Sequence, residues 1–291
     1  MPIDTYVTAQ AGLKLHVRQW GPRTAPALPV VCLPGLTRSV ADFEVLAPAL
    51  AADAGMPRRV LALSSRGRGR SQYDPNPENY SLQVELADLL SVLTALEAAP
   101  AVFVGTSRGG LLSMLLAVAR PTAIAGCVLN DIGPVLEPQG LARIKSYVGK
   151  LPLPASWQQA ADGIRNLFGA QFPRLSADEW LAFAQRTFKE DSGRIVPDYD
   201  IRIATALADM DLEKPVPTMW KEFDALACVP ILVVRGANSD LLSLATVAEM
   251  QRRHPRIKAI EVPDQGHAPL LSEPPVIEQI AAFVRSCECT T

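Results

Sequence analysis

The sequence predicts an α/β protein: a mostly parallel central sheet with helices on both faces and an inserted helical segment. Three observations carry that expectation. Continuously apolar runs of strand length alternate with helical patterns through the first half of the chain. From Gly133 the strand pattern stops, and two further apolar runs bring it back after Cys228. The 291 residues suit one α/β core with a modest insertion, and a 48% hydrophobic fraction supplies a large core.

The N-terminal stretches DTYVTA and LKLHVRQW alternate in the manner of an antiparallel hairpin. VVCL at 30–33, RVLAL at 59–63, AVFVG at 101–105 and AGCVLN at 125–130 are apolar throughout, as strands covered on both faces are. Between the second and third of these, Leu82, Leu86, Leu89, Leu90, Leu93 and Leu96 fall at helical spacing within Tyr80 to Glu97. That stripe is core packing against the sheet. Residues 134–228 read as helices without strands, rich in proline and tryptophan, and are expected to form a lid. VPILVVRG at 229–236 and IKAIEVP at 257–263 resume the sheet, and PPVIEQIAAFVRSC closes with a helix that carries proline in its first turn. The core is therefore assigned to 1–133 and 229–291.

A net charge of −2 gives no electrostatic reason to expect a nucleic acid or an anionic membrane as partner. The N-terminus, MPIDTYVTAQ, has neither a basic start nor a signal-length apolar stretch, and the longest central apolar run falls short of the ~20 residues of a spanning helix. Five cysteines are an odd number, and three (Cys32, Cys127, Cys228) lie in or beside strand-like runs while Cys287 and Cys289 close the chain; reduced thiols fit this better than a disulfide framework. A cytoplasmic location is the expectation.

The chemistry concentrates at Gly105-Thr-Ser-Arg-Gly-Gly110, placed directly after AVFVG and directly before the helical run LLSMLLAVA. This is the G-x-S-x-G elbow in the strand–turn–helix context that gives the motif its meaning: a sharp turn projects Ser107 while the glycines relieve crowding. A serine hydroxyl needs a base to become nucleophilic, usually a histidine held by an acid. Of the three histidines, His16 lies in the hairpin and His254 sits before Pro255 among arginines, so both read as surface residues. His267, in Pro263-Asp-Gln-Gly-His-Ala-Pro269 after the last strand, is where catalytic groups of such sheets collect. For the acid, Asp240 at the end of Arg235-Gly-Ala-Asn-Ser-Asp240 is preferred because it continues the order Ser, Asp, His; Asp131, just beyond AGCVLN, competes. The backbone N–H groups of Arg108 and, from Leu33-Pro-Gly-Leu-Thr37, of Leu36 are the expected oxyanion donors. The Arg108 side chain is expected to form a structural ion pair.

Taken in order, LPGLT, SRGRGRS, GTSRGG, RGANSD and DQGHAPLL resemble the oxyanion loop, the tight turn after the next strand, the nucleophile elbow, the acid loop and the histidine loop of the α/β-hydrolase superfamily. The likeness runs along nearly the whole chain. It departs at Pro34, where relatives commonly carry His, and at Ser64, where they carry Asp. The serine at the elbow weakens any likeness to haloalkane dehalogenases and epoxide hydrolases, which use Asp there. The resemblance implies a serine hydrolase acting through an acyl-enzyme on an ester, thioester or lactone of small to medium size with apolar character. It implies no cofactor, and the sequence holds no metal motif, Cys287 and Cys289 having no histidine near them. Of the lid aromatics Trp157, Phe168, Phe172, Trp180, Phe183, Phe188 and Trp220, most should pack the lid to the core and a minority wall an apolar pocket. Relatives on this fold also include cofactor-free dioxygenases or lyases that reuse the Ser/His/Asp set, and hydrolase-like ligand receptors; fold alone separates none of these.

Overall fold

The computed structural model describes residues 1–53, 55–208, 211, 214 and 216–288. Its strands are β1 (Ile3–Thr8), β2 (Lys14–Trp20), β3 (Val30–Leu33), β4 (Val60–Leu63), β5 (Ala101–Thr106), β6 (Ile124–Asn130), β7 (Phe188–Asp191), β8 (Arg194–Pro197), β9 (Ile231–Gly236) and β10 (Ile257–Val262). Its helices are α1 (Leu46–Ala51), α2 (Leu82–Ala95), α3 (Arg108–Ala119), α4 (Pro138–Tyr147), α5 (Trp157–Phe168), α6 (Ala177–Thr187), α7 (Thr205–Ala208), α8 (Trp220–Asp224), α9 (Leu244–Arg253) and α10 (Pro274–Cys287).

Eight strands join in one sheet in the order β1-β2-β4-β3-β5-β6-β9-β10. β2 runs antiparallel to both β1 and β4, and every pairing from β4 to β10 is parallel. The period-2 alternation of side chains divides the apolar runs between two cores. Val31, Leu33, Leu61, Phe103, Cys127, Leu129 and Val233 pack on one face with Leu89 of α2, Leu112 of α3 and Val247 of α9. Val30, Cys32, Val60, Val102, Val104, Val128 and Val234 pack on the other with Leu46 of α1 and Ile280 of α10. An uninterrupted apolar run is thus what a two-sided burial requires.

The 134–228 interval contributes no strand to the central sheet among its described residues, but it is not wholly helical. Besides α4 to α8 it holds the β7–β8 hairpin, a separate two-stranded antiparallel sheet. Phe188-Lys-Glu-Asp and Arg194-Ile-Val-Pro are too short and too polar to show a strand period, and the turn between them, with φ of 51° at Ser192 and 75° at Gly193, closes the ladder. A third core binds α5 to α6 through Ile164, Phe168, Phe172, Trp180 and Phe183. Backbone bonds stitch the residues just after β8 to the Arg-Gly-Arg-Gly turn: Gly69 N–H to Asp198 O at 2.8 Å and Asp200 N–H to Gly67 O at 2.7 Å.

His16 and His254 are both buried, contrary to their reading as surface residues. His16 Nε2 lies 2.8 Å from Asp4 Oδ1, and His254 Nε2 2.9 Å from Leu226 O while its Nδ1 accepts from the Arg256 N–H. Cys32, Cys127 and Cys287 are buried and Cys228 is exposed, none of the four in a disulfide; Cys289 lies outside the described residues.

Candidate active site

Ser107 stands between the last residue of β5 and the first of α3, with φ of 50° and ψ of −114°, a backbone that non-glycine residues seldom adopt. The flanking glycines make that turn possible. A Cβ at Gly109 would lie 2.1 Å from the Leu33 carbonyl oxygen, and one at Gly105 would lie 2.6 Å from the Gly109 carbonyl carbon. Strand, turn and helix therefore approach at backbone contact, and the Ser107 N–H is held by Asn130 O at 3.0 Å.

His267 Nε2 lies 2.8 Å from Ser107 Oγ. Its other ring nitrogen, Nδ1, lies 2.8 Å from Oδ2 of Asp131. Asp131 therefore occupies the position that the sequence assigned first to Asp240. Its carboxylate is fully buried and also accepts the Gly236 N–H at 2.8 Å and the Ser239 hydroxyl at 2.6 Å. Asp240 turns the other way, and its two oxygens accept from Nε and Nη2 of Arg143 in α4 at 2.6 and 2.9 Å. Burial works to raise the Asp240 carboxyl, and the Arg143 guanidinium more than offsets this, leaving it below the usual carboxylate range. The physical reason lies in the sheet order. β6 sits between β5 and β9, so an acid at its C-terminal end reaches the histidine loop directly, while the loop after β9 spends Ser239 on orienting that acid.

The two expected oxyanion donors are tied to each other. Glu85 of α2 accepts from Arg108 Nε at 2.7 Å and from Arg68 Nη1 at 2.8 Å, and Arg68 Nε donates to the Leu36 carbonyl at 2.8 Å. The Arg108 side chain is thus a structural ion-pair partner. Its backbone N–H opens α3, where the first amides have no acceptor within the helix and the dipole favours negative charge. Ser64, at the position where relatives carry Asp, accepts the Val40 N–H at 3.2 Å and so braces the residues after the Leu36 loop.

Ser107, His267, Gly35 and Leu36 open into a cavity of about 100 Å³ whose far wall comes from the 134–228 segment, including Ile144, Tyr147, Phe168 and Phe183. Phe172, Trp180 and Phe188 pack within that segment, and Trp220 lies against Arg253 and Phe223. Two arginines, Arg38 and Arg186, also line the cavity. Sequence reasoning had no means of finding them, since nothing in their local pattern marks them. Among the described residues no group of three or more His, Cys, Asp or Glu is placed to hold a metal ion, and no described helix is long and apolar enough to cross a membrane.

A two-sided parallel sheet with a strained serine elbow and a histidine–carboxylate pair at the strand ends defines a class, and comparison with known proteins agrees. The profile of the alpha/beta hydrolase family matches residues 30–279. An alpha/beta hydrolase from Novosphingobium aromaticivorans is 42% identical and superposes with a TM-score of 0.88, over 98% of both chains. The 3-hydroxybutyrate-oligomer hydrolase of Cupriavidus necator is 33% identical over 91% of this chain and 90% of its own. The sn-1-specific diacylglycerol lipase ABHD11 of Mus musculus is 28% identical over 85% of this chain and 76% of its own. The chain belongs to the alpha/beta hydrolase family.

Proposed function

We propose that this chain is a serine hydrolase that cleaves an ester-type bond through an acyl-enzyme, with Ser107 as nucleophile, His267 as base and Asp131 as the acid that orients it. The observation that carries the reading is the continuous Ser107–His267–Asp131 hydrogen-bonded chain, with 2.8 Å at each link. With Nδ1–H donated to Asp131, the Nε2 lone pair faces the serine hydroxyl and takes its proton as Oγ attacks a carbonyl. Negative charge then develops beside the Arg108 and Leu36 N–H groups. The protonated ring returns its proton to the leaving alcohol, and water, activated by the same nitrogen, releases the acyl group.

Two relatives support an ester substrate, because a 3-hydroxybutyrate oligomer and a diacylglycerol are both esters. The small cavity with aliphatic and aromatic walls favours a compact, partly apolar one. Residues 134–228 act as the cap that sets this selectivity. Cysteines that form no disulfide among the described residues support a cytoplasmic location.

A fluorophosphonate probe tests the reading. Wild type should label within minutes and hydrolyse short acyl esters, and Ser107→Ala should do neither while keeping its circular dichroism. Undiminished turnover by a folded Ser107→Ala protein would refute the assignment.

A further inference from the structure

The polar end of the cavity is lined by more positive than negative charge, with Asp198 acting on Arg38 from outside the lining. Its charged lining residues, His267 apart, are Arg38, Arg186 and Asp42. Asp42 is committed: Arg38 holds it bidentately, with Nε to Oδ2 at 2.9 Å and Nη2 to Oδ1 at 2.5 Å, and the third arm of Arg38, Nη1, donates to Thr187 Oγ1 at 2.6 Å. Arg186 is left with the remainder. Its nearest carboxylate oxygen is again on Asp42, at 3.9 Å, beyond hydrogen-bond distance, while its side chain is only 23% exposed. Both guanidinium carbons sit close to the ring of Phe183, at 5.1 Å for Arg38 and 5.9 Å for Arg186, which holds them at one place on the wall. Burial pushes Arg186 below its ordinary pKa, against the pull of Asp42 and with the repulsion of Arg38.

A guanidinium held in a poorly solvated cavity without a bonded anion is costly unless a ligand supplies one. Its planar fork matches a carboxylate in particular. The site is also beside the reacting group. A Cβ at Gly35 would lie 3.3 Å from Arg38 Cγ and 3.9 Å from Ser107 Cβ, so both side chains come within 4 Å of one missing methyl.

We propose that Arg186, braced by the Arg38–Asp42 pair, is a specificity subsite for a substrate carboxylate, and that the substrate is an ester bearing a free carboxylate a few bonds from the scissile carbonyl. The proposal rests on the hydrolase reading for its chemistry but not for its binding. One anionic group would neutralise the surplus cation of the cavity and would leave the ester end facing Ser107 across the apolar wall. Neutral esters of the same shape would leave Arg186 with only its long contact to Asp42.

Binding is measured apart from turnover by calorimetry on Ser107→Ala protein with the monoethyl and diethyl esters of succinate, glutarate and adipate. At least one monoester should bind about tenfold or more tightly than its diester, and that ratio should collapse to within about threefold in Ser107→Ala/Arg186→Gln. Equal binding of every monoester and diester pair overturns the proposal, as does a preference that survives in the Arg186→Gln protein. Should the double variant fail to fold, the monoester to diester ratio in the Ser107→Ala protein decides alone. A preserved preference for monoesters together with no hydrolysis by wild type would overturn the hydrolase reading and leave the carboxylate subsite standing.

Discussion

Replacing Asp131 by Asn removes one charge and adds two hydrogens, and the surroundings of the carboxylate determine the effect. Oδ2 accepts from His267 Nδ1 and from the Ser239 hydroxyl, and Oδ1 accepts from the Gly236 N–H. Ser239 Oγ is itself an acceptor for the Leu241 and Leu242 N–H groups at 3.2 and 3.1 Å, so its own proton is directed at Asp131. An amide NH₂ at the Oδ2 position faces donors on both sides. It can be accommodated only if His267 gives up the Nδ1 proton, which moves the hydrogen to Nε2 and leaves no lone pair for Ser107. The flipped amide points its NH₂ at the Gly236 N–H instead, two donors in a fully buried site. The first arrangement disables the base, and the second keeps its tautomer but sets two donors against each other and loses the charge that stabilises the imidazolium; a loss of about 10³–10⁴ in kcat is expected, roughly 4–5 kcal/mol of barrier. Asp240→Asn removes the charge that pairs with Arg143 and leaves the Ser107–His267–Asp131 chain intact, so it should change kcat by less than about tenfold. The assay is steady-state hydrolysis of a p-nitrophenyl ester, with thermal melting to confirm that each variant is folded. A crippled Asp240→Asn beside a nearly normal Asp131→Asn would refute the reasoning.

Three further outcomes follow from packing and charge. Gly109→Ala would drive a methyl into the Leu33 carbonyl, at 2.1 Å, and should cost ~3 kcal/mol or more with loss of activity, whereas Gly163→Ala, on an exposed stretch of α5 with nothing within 4 Å, should stabilise by up to about 1 kcal/mol; melting curves of the pair separate close approach from a general intolerance of alanine. Glu85→Gln leaves the buried Arg68 and the half-buried Arg108 without their shared anion, and about 3–5 kcal/mol of stability should be lost by denaturant unfolding, with kcat falling more than KM rises because the backbone carrying the two proposed oxyanion donors loosens; an unchanged midpoint would contradict the tether. His16 is held below its ordinary pKa by burial against the opposing pull of Asp4, and its buried Nδ1 has no hydrogen-bond partner. Below the ordinary histidine range the unfolded chain therefore binds a proton that the folded chain resists, so stability should fall as pH drops from about 7 to 5, and His16→Gln should flatten that slope; a wild-type melting temperature that rises on acidification would show the sign to be wrong.

The sheet was legible because two-sided burial writes itself as unbroken apolar runs: VVCL, RVLAL, AVFVG and AGCVLN locate β3 to β6 within a residue or so at each end. The elbow was legible because Gly105 and Gly109 answer a steric demand that no other residue meets. The acid was not. Asp131 and Asp240 both end a segment that follows a buried strand, and what separates them is Arg143, a residue of α4 97 positions from Asp240 that neutralises it in space. Likewise His16 and His254 read as surface residues because their partners, Asp4 across a hairpin and the Leu226 carbonyl, are set by tertiary contact. The β7–β8 hairpin escaped because its strands are four residues each and mostly polar.

The claim on which the account turns is that Ser107 becomes covalently bonded to substrate. Wild-type protein mixed with a slowly deacylating activated ester, quenched in acid within milliseconds to seconds and digested, should show the acyl mass on the peptide containing Ser107, at close to one equivalent per chain. The same experiment on His267→Ala should show almost none. Continued turnover without any adduct, particularly with oxygen uptake on an aromatic substrate, would contradict the acyl-enzyme and identify His267 as a base acting directly on substrate.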